Sequence, residues 1–258
     1  MPSTVLNMIL VAVSALASAL TVVKLWRTGL FRQYRIFFCY FVFRTPSLAL
    51  PLFLHTNSVA YLYFWLAVEP MLLIFHIAVV AELYRLILSR YKGLYTLGRW
   101  AMYVCSVVAI VISILSLLPK FTPSIPQLSR LLGSYYAADR GVDFSLVVFI
   151  FLILVFLSFY PVPVSRNVVV HVSLFTVYFL SSSTALLLKA ITGAVLSNQV
   201  NLILSGASAA CTVGWLFLLT PRGEEVQARK PALGPEHEER VLRHLNTINT
   251  TLLKVGRA

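Results

Sequence analysis

Two residues of opposite charge lie inside long apolar stretches, Arg44 in FVFRTPSLALP and Glu69 in LAVEPMLLIFHIAVVAELYR. An ionised side chain inside lipid costs a few kcal/mol or more, so such residues are usually paired or functional. Arg44 lies ten residues before Leu54 and Glu69 ten residues after Val59, on either side of the polar turn HTNS. Ten helical residues reach about 15 Å, near the bilayer centre. We therefore predict an Arg44–Glu69 pair on adjacent antiparallel helices.

Prolines accompany both charged residues. Pro46 and Pro70 each free a backbone carbonyl one turn earlier, and these carbonyls need new partners in lipid. His76 follows Glu69 by seven residues on the same helix face and is either a proton relay or a donor to a neighbouring helix. Two interpretations stay open: a sealed pair that fixes helix register, or a polar pocket for a ligand or ion, open to the outside. The candidate pocket residues are Arg44, Glu69, His76, Thr45 and Ser47.

Three further charged residues lie near the ends of apolar stretches. Glu82 and Arg85 are three positions apart, which predicts a salt bridge on one helix at the cytoplasmic interface. Lys189 lies about two residues from the outer end of a later stretch, where it can extend its ammonium group to the headgroups. We keep Lys189 as an outer-end candidate of the site.

The sequence contains no recognisable catalytic motif. It has no nucleophile elbow, P-loop, H-E-x-x-H or pair of catalytic carboxylates, and its three cysteines lack metal-ligand spacing. His76 and His171 do not lie at obviously matched depths for a haem. We therefore expect no catalytic residue, no metal and no cofactor. Whether the protein is an enzyme stays open, with a non-enzymatic role favoured.

Helices inside a membrane are the elements that must position these residues. The 258-residue chain is 59% hydrophobic and 12% charged, whereas soluble domains are about 45–50% apolar and about 25% charged. Its net charge of +12 does not indicate nucleic-acid binding, because the basic residues punctuate apolar runs as loop charges do in multi-pass proteins. This composition is not typical of a soluble domain, and we expect the chain to be surrounded by a lipid bilayer.

Seven stretches are long enough to cross a bilayer, for which about 20 apolar residues are needed. They are 4–26, 33–54, 58–88, 100–118, 142–160, 168–191 and 199–220. Sixteen of the 21 Lys and Arg residues fall on one side of these stretches, which predicts an outside N-terminus and a cytoplasmic C-terminus. The fold prediction is an all-α, polytopic bundle of seven transmembrane helices in the inner or plasma membrane.

The chain divides into a transmembrane domain, 1–221, and a cytoplasmic tail, 222–258. The tail begins with a polar linker and continues with a predicted amphipathic helix, 236–255. Its apolar positions are spaced 4, 3, 4 and 3 residues apart, under three heptads in all. We expect this helix to dock on the bundle, on the membrane surface, on a cytoplasmic protein partner or on a second copy.

Several phrases carry a resemblance to a known family: AVEP with AELYR, GLYTLGRW, YPVPVSRN and LNTINTTLL. They resemble a family of uncharacterised bacterial seven-helix membrane proteins, over most of the chain. The resemblance implies the same architecture and no particular activity.

Three functions are compatible with these features. The first is a receptor-like or sensory module, in which the outer polar site binds a small molecule and the tail couples to a partner. The second is a small-solute or proton-coupled transporter with Glu69 as the titrating group. The third is a non-catalytic structural subunit of a membrane assembly. None of them involves nucleic acid.

Overall fold

The structure is a computed structural model that describes residues 2–52, 59–88, 141–155, 164–192 and 196–225. It also describes isolated positions 96, 100, 103, 104, 107, 111, 139, 243, 247 and 250. The elements defined in these residues are helices, as the composition predicts.

Six helices of 15 or more residues lie in the described ranges. They are α1 (Pro2–Arg27), α2 (Arg35–Ala49), α3 (Val59–Leu88), α4 (Gly141–Val155), α5 (Arg166–Thr192) and α6 (Ser197–Leu218). Short 3₁₀ turns occur at Leu30–Arg32, Leu50–Leu52 and Pro221–Glu224. The limits of α1, α3, α5 and α6 fall within two residues of the predicted spans.

The predicted span 33–54 is α-helical over a shorter range, because α2 ends at Ala49. Pro46 lies inside the helix, and the N–H of Leu50 still donates to its carbonyl. Pro51 comes next and has no N–H with which to continue the α-helical ladder. The chain tightens there into a 3₁₀ turn, so prolines shorten α2 at the end nearest Arg44.

Four of the helices are long and apolar enough to cross a membrane: Val5–Arg27, Tyr63–Leu88, Arg166–Lys189 and Asn198–Leu218. Their outward faces expose large apolar side chains, such as Leu16 at 64%, Ile203 at 67% and Phe217 at 71%. Contiguous apolar surface of this kind is unfavourable in water and suits a lipid surrounding. The helices therefore indicate an integral membrane protein.

Two predicted elements fall mainly outside the described residues. In the predicted span 100–118 the structure describes five positions, all helical and exposed. In the predicted tail helix 236–255 it describes Arg243, Thr247 and Thr250, which are helical and exposed as well. The seventh helix, the tail helix and the direction of the chain across the membrane stay predictions.

The helices pack as a bundle in which α1 contacts α6 most extensively, followed by α5 with α6 and α1 with α2. The helices α2 and α3 also contact each other, as their short connection requires. Fully buried rings fill the space between α2, α5 and α6. We call these rings the aromatic layer; it consists of Phe37, Phe41, Phe175, Phe179 and Trp215.

A polar clamp closes the end of the bundle near the start of the tail. Glu224, after α6, accepts hydrogen bonds from the hydroxyl of Tyr34 at 2.8 Å and from the amide of Asn167. The same Asn167 amide donates to the Thr220 carbonyl at 2.7 Å, and its oxygen accepts the Thr220 N–H at 3.2 Å. Gly223 fits here because a Cβ would approach Asn167 Oδ1 to 2.2 Å. The clamp joins three distant segments of the chain.

Candidate functional site

A cavity of about 370 Å³ lies between the helices, and all six of them contribute side chains to its lining. Hydroxyl and amide groups supply part of this lining, among them those of Ser14, Ser205 and Asn201. Among the residues that the structure describes, the charged or titratable lining residues, tyrosines apart, are Arg44, Glu69, His76, Asp139, Asp143 and Lys189.

The cavity occupies one half of the bundle. Most lining residues lie in the first half of α1, α3, α4 and α6 and in the second half of α5, with Ser14, Glu69, Asp143, Ser205 and Lys189 as examples. This placement requires α5 to run in the direction opposite to α1, α3, α4 and α6. The aromatic layer fills the opposite half, so polar and aromatic side chains are separated along the bundle axis.

Arg44 is buried in the wall of the cavity. Its guanidinium donates to the hydroxyl of Tyr40 and to Ser208 Oγ at 2.6 Å. Its Cζ lies 5.4 Å from the ring centroid of Tyr40 and 5.2 Å from that of Tyr178, which adds cation–π attraction. The guanidinium is therefore fixed by α2, α5 and α6 together, and its charge is presented to the cavity.

Glu69 lines the same cavity as Arg44, so the site contains both charges that the sequence singled out. Among the described residues, the guanidinium of Arg44 donates hydrogen bonds to Tyr40 and Ser208. A direct Arg44–Glu69 pair stays a prediction.

Thr45 and Ser47 are not among the lining residues of the cavity. Thr45 donates to the carbonyl of Phe41 at 2.8 Å, and Ser47 donates to that of Phe43 at 2.7 Å. Both hydroxyls thus bond one turn back along α2, beside the position where Pro46 interrupts the ladder. These two hydroxyls support the helix that carries Arg44, and neither residue is part of the cavity lining.

His76 of α3 and Asp143 of α4 lie close together in the cavity wall. His76 Nδ1 lies 3.7 Å from Asp143 Oδ1, and the two side chains are 9% and 1% exposed. This distance is too long for a hydrogen bond. Both ring nitrogens of His76 and Oδ1 of Asp143 have no hydrogen-bond partner among the described residues. The rings of Tyr40, Tyr178 and Phe179 surround the imidazole, with centroids 5.1–5.6 Å away.

Several residues of the site were missed or assigned elsewhere from the sequence. Asp139 and Asp143, at the start of an apolar stretch, were not among the predicted site residues, yet both line the cavity. Lys189 lines it too, beside its expected position at the end of α5. Tyr178 and Ser208 carry no charge, so nothing in their local sequence separates them from packing residues. The alternation of helix directions is the one signal that groups them.

Glu82 and Arg85 lie at the other end of α3, away from the cavity. Arg85 Nη2 is 3.9 Å from Glu82 Oε1, at the outer limit of an ion pair. The stronger contacts of Glu82 are to another helix, since its carboxylate accepts the N–H groups of Ile36 and Phe37 at 3.0 Å each. The principal role of this carboxylate is therefore to cap the start of α2, which the sequence-based interpretation missed.

Comparison of the chain with models of known families, with curated proteins and with solved structures finds no match.

Proposed function

We propose that the protein is a multi-pass receptor-like or sensory membrane protein that binds a small polar solute in this cavity. One observation carries the proposal: His76 and Asp143 are buried in the wall of a polar cavity, and three of their polar atoms have no hydrogen-bond partner among the described residues.

Unpaired polar atoms of this kind are costly. A buried donor or acceptor without a partner loses about 1–3 kcal/mol of hydration that nothing replaces. Native structures therefore satisfy such atoms with protein groups, water or a ligand. A cavity of about 370 Å³ leaves room for a small solute, since ligand sites span about 300–1,000 Å³. The polar lining would supply the specific contacts of such a solute.

The distribution of side chains along the bundle favours binding from one side over passage through the bundle. The aromatic layer, which includes Phe37, Phe175 and Trp215, is at most 1% exposed at each of these positions. The packed rings in the other half of the bundle would block the passage of a solute from the cavity to the far end. This arrangement suits a protein that detects a solute and passes the information to its far end.

The distribution of the basic residues predicts how the protein is oriented across the membrane. With the N-terminus outside and the C-terminus in the cytoplasm, the cavity lies in the outer half of the cell membrane and takes its solute from outside. The polar clamp around Glu224 and the tail, 222–258, then lie on the cytoplasmic side. The predicted tail helix, 236–255, would couple the bundle to a cytoplasmic protein or to a second copy.

A thermal-unfolding screen of the purified protein in detergent tests the binding proposal. Small polar solutes that bind should raise the unfolding temperature, because a ligand that binds the folded state alone stabilises it. Ser182→Leu, which fills the cavity wall, should abolish the shift. Ser173→Leu is the matched control, since Ser173 is exposed on the same helix. If no solute stabilises the protein, or if both variants respond equally, the proposal is wrong.

A small-solute or proton-coupled transporter is the second candidate. The observation in its favour is that Pro46 and Pro70 lie inside α2 and α3, the helices that carry Arg44 and Glu69, and each removes one backbone hydrogen bond beside the cavity. Irregular backbone hydrogen bonding is typical of the substrate sites of many transporters. Uptake of a bound solute into proteoliposomes, dependent on pH and lost in Glu69→Gln, would establish transport. Binding without uptake would leave the sensory function.

A further inference from the structure

The surroundings of Asp143 bear on the chemical class of the solute. Among the residues that the structure describes, the cavity wall contains two cations, Arg44 and Lys189, and three carboxylates, Glu69, Asp139 and Asp143. Asp143 is 1% exposed, and its Oδ1 has no hydrogen-bond partner among these residues. A buried carboxylate is expensive without a donor or a counter-charge, so this part of the cavity favours a positive charge.

The two cations are already held near particular groups. Arg44 is fixed by Tyr40, Ser208 and the ring of Tyr178. Lys189 lies within electrostatic range of Asp139. Asp143 is 1% exposed and has His76 at 3.7 Å, and its Oδ1 lacks a hydrogen-bond donor among the described residues. An incoming cation therefore finds an available acceptor at Asp143.

We propose that the solute is a small primary amine whose ammonium group binds between Asp143 and His76. This inference rests on the proposed binding function and names the class of its ligand. The ammonium group donates one hydrogen bond to Asp143 Oδ1 and a second to the unprotonated nitrogen of the neutral imidazole. An alcohol lacks the charge that Asp143 requires, and a carboxylate places a second negative charge beside Asp143.

The rings of Tyr40 and Tyr178 adjoin the proposed site of the ammonium group, with centroids 5.6 Å and 5.4 Å from that of the His76 imidazole. The other charged or titratable groups of the cavity wall are Arg44 from α2, Glu69 from α3, Asp139 next to α4, and Lys189 from α5. The helices α1 and α6 contribute uncharged polar groups, Ser14, Asn201, Ser205 and Ser208.

Isothermal titration of the purified protein with three probes of similar size tests the ligand class. The probes are butylamine, butyrate and 1-butanol. Butylamine should bind at least about tenfold more tightly than the other two, and Asp143→Asn should remove this preference, since loss of one partner of a buried charge contact costs at least that much. Tighter binding of butyrate or butanol overturns the proposal while leaving the proposed function intact.

A second test removes the other partner of the ammonium group. His76→Phe should weaken the binding of butylamine, because it removes the imidazole nitrogen that accepts the second hydrogen bond. Unchanged binding of butylamine in His76→Phe overturns the placement of the ammonium group at His76. If the three probes and the wider solute screen all fail to bind, the proposed function itself is wrong.

Discussion

Replacement of Glu82 by alanine should destabilise the protein because it removes the cap of α2. The carboxylate accepts the N–H groups of Ile36 and Phe37 at 3.0 Å each, in the first helical turn, where backbone donors have no partner within the helix. The side chain of Tyr34, the N-cap residue, makes no capping hydrogen bond to the backbone of α2. Glu82 is 2% exposed, so water has little access to replace the lost bonds.

The two bonds set the expected size of the effect. A hydrogen bond to a charged group contributes about 1.5–3 kcal/mol, so Glu82→Ala should cost about 3 kcal/mol at the lower end of this range. Glu82→Gln keeps one acceptor oxygen and loses the charge at the positive end of the helix dipole, for a loss of about 2 kcal/mol. Arg85→Gln is the control. Its side chain is 53% exposed, and such surface pairs are worth about 0–1 kcal/mol.

Free energies of unfolding in mixed detergent micelles, followed by circular dichroism, measure these differences. The capping role predicts a large loss for both Glu82 variants and a small one for Arg85→Gln. A salt bridge as the main role predicts equal losses for Glu82→Gln and Arg85→Gln. Equal losses, or no loss at Glu82→Ala, would refute the argument that the carboxylate stabilises the start of α2.

Two further substitutions test contacts at opposite ends of the bundle by the same measurement. Gly223→Ala should lower the free energy of unfolding by about 1–3 kcal/mol, because its Cβ would approach Asn167 Oδ1 to 2.2 Å. Gly206→Ala is the control. Its Cβ would have no atom within 4 Å, so this variant should be neutral or more stable by up to about 1 kcal/mol. Equal effects at the two glycines would contradict the close packing of the clamp. Arg44→Lys should lower the free energy of unfolding by about 1.5–3 kcal/mol. A lysine has one nitrogen, which cannot replace both the guanidinium bond to Ser208 and the guanidinium bond to Tyr40. An unchanged free energy of unfolding for Arg44→Lys would show that these bonds do not hold the guanidinium.

The helices were predictable to the extent that hydropathy alone defines them. The long apolar runs of α1, α3, α5 and α6 end at polar turns, and their limits were within two residues of the structure. The shortening of α2 depends on Pro46 and Pro51, which interrupt a run that is apolar throughout. Hydropathy does not detect this interruption, because proline is not itself strongly polar.

The location of a site residue could be predicted only where its depth in the membrane could be counted from a short turn. Arg44 and Glu69 flank four polar residues, so their common location followed from helix geometry. Asp143 reaches the cavity from a segment far along the chain, and its depth could not be related to theirs. Glu82 shows a different limit. The spacing to Arg85 is visible in the sequence, but the N–H groups it caps belong to another helix.

The contact between α1 and α6 has a consequence for the synthesis of the protein. About 170 residues separate the end of α1 from the start of α6, and translation proceeds at about 5–20 residues per second. The helix α1 is therefore synthesised roughly 10–30 s before α6, the helix that it contacts most extensively. During this interval α2 is the neighbour it can contact, and the hydrogen bond from Ser205 Oγ to Asn7 Oδ1 at 2.6 Å forms only when α6 arrives. Closure of the cavity wall is thus a late step in biogenesis.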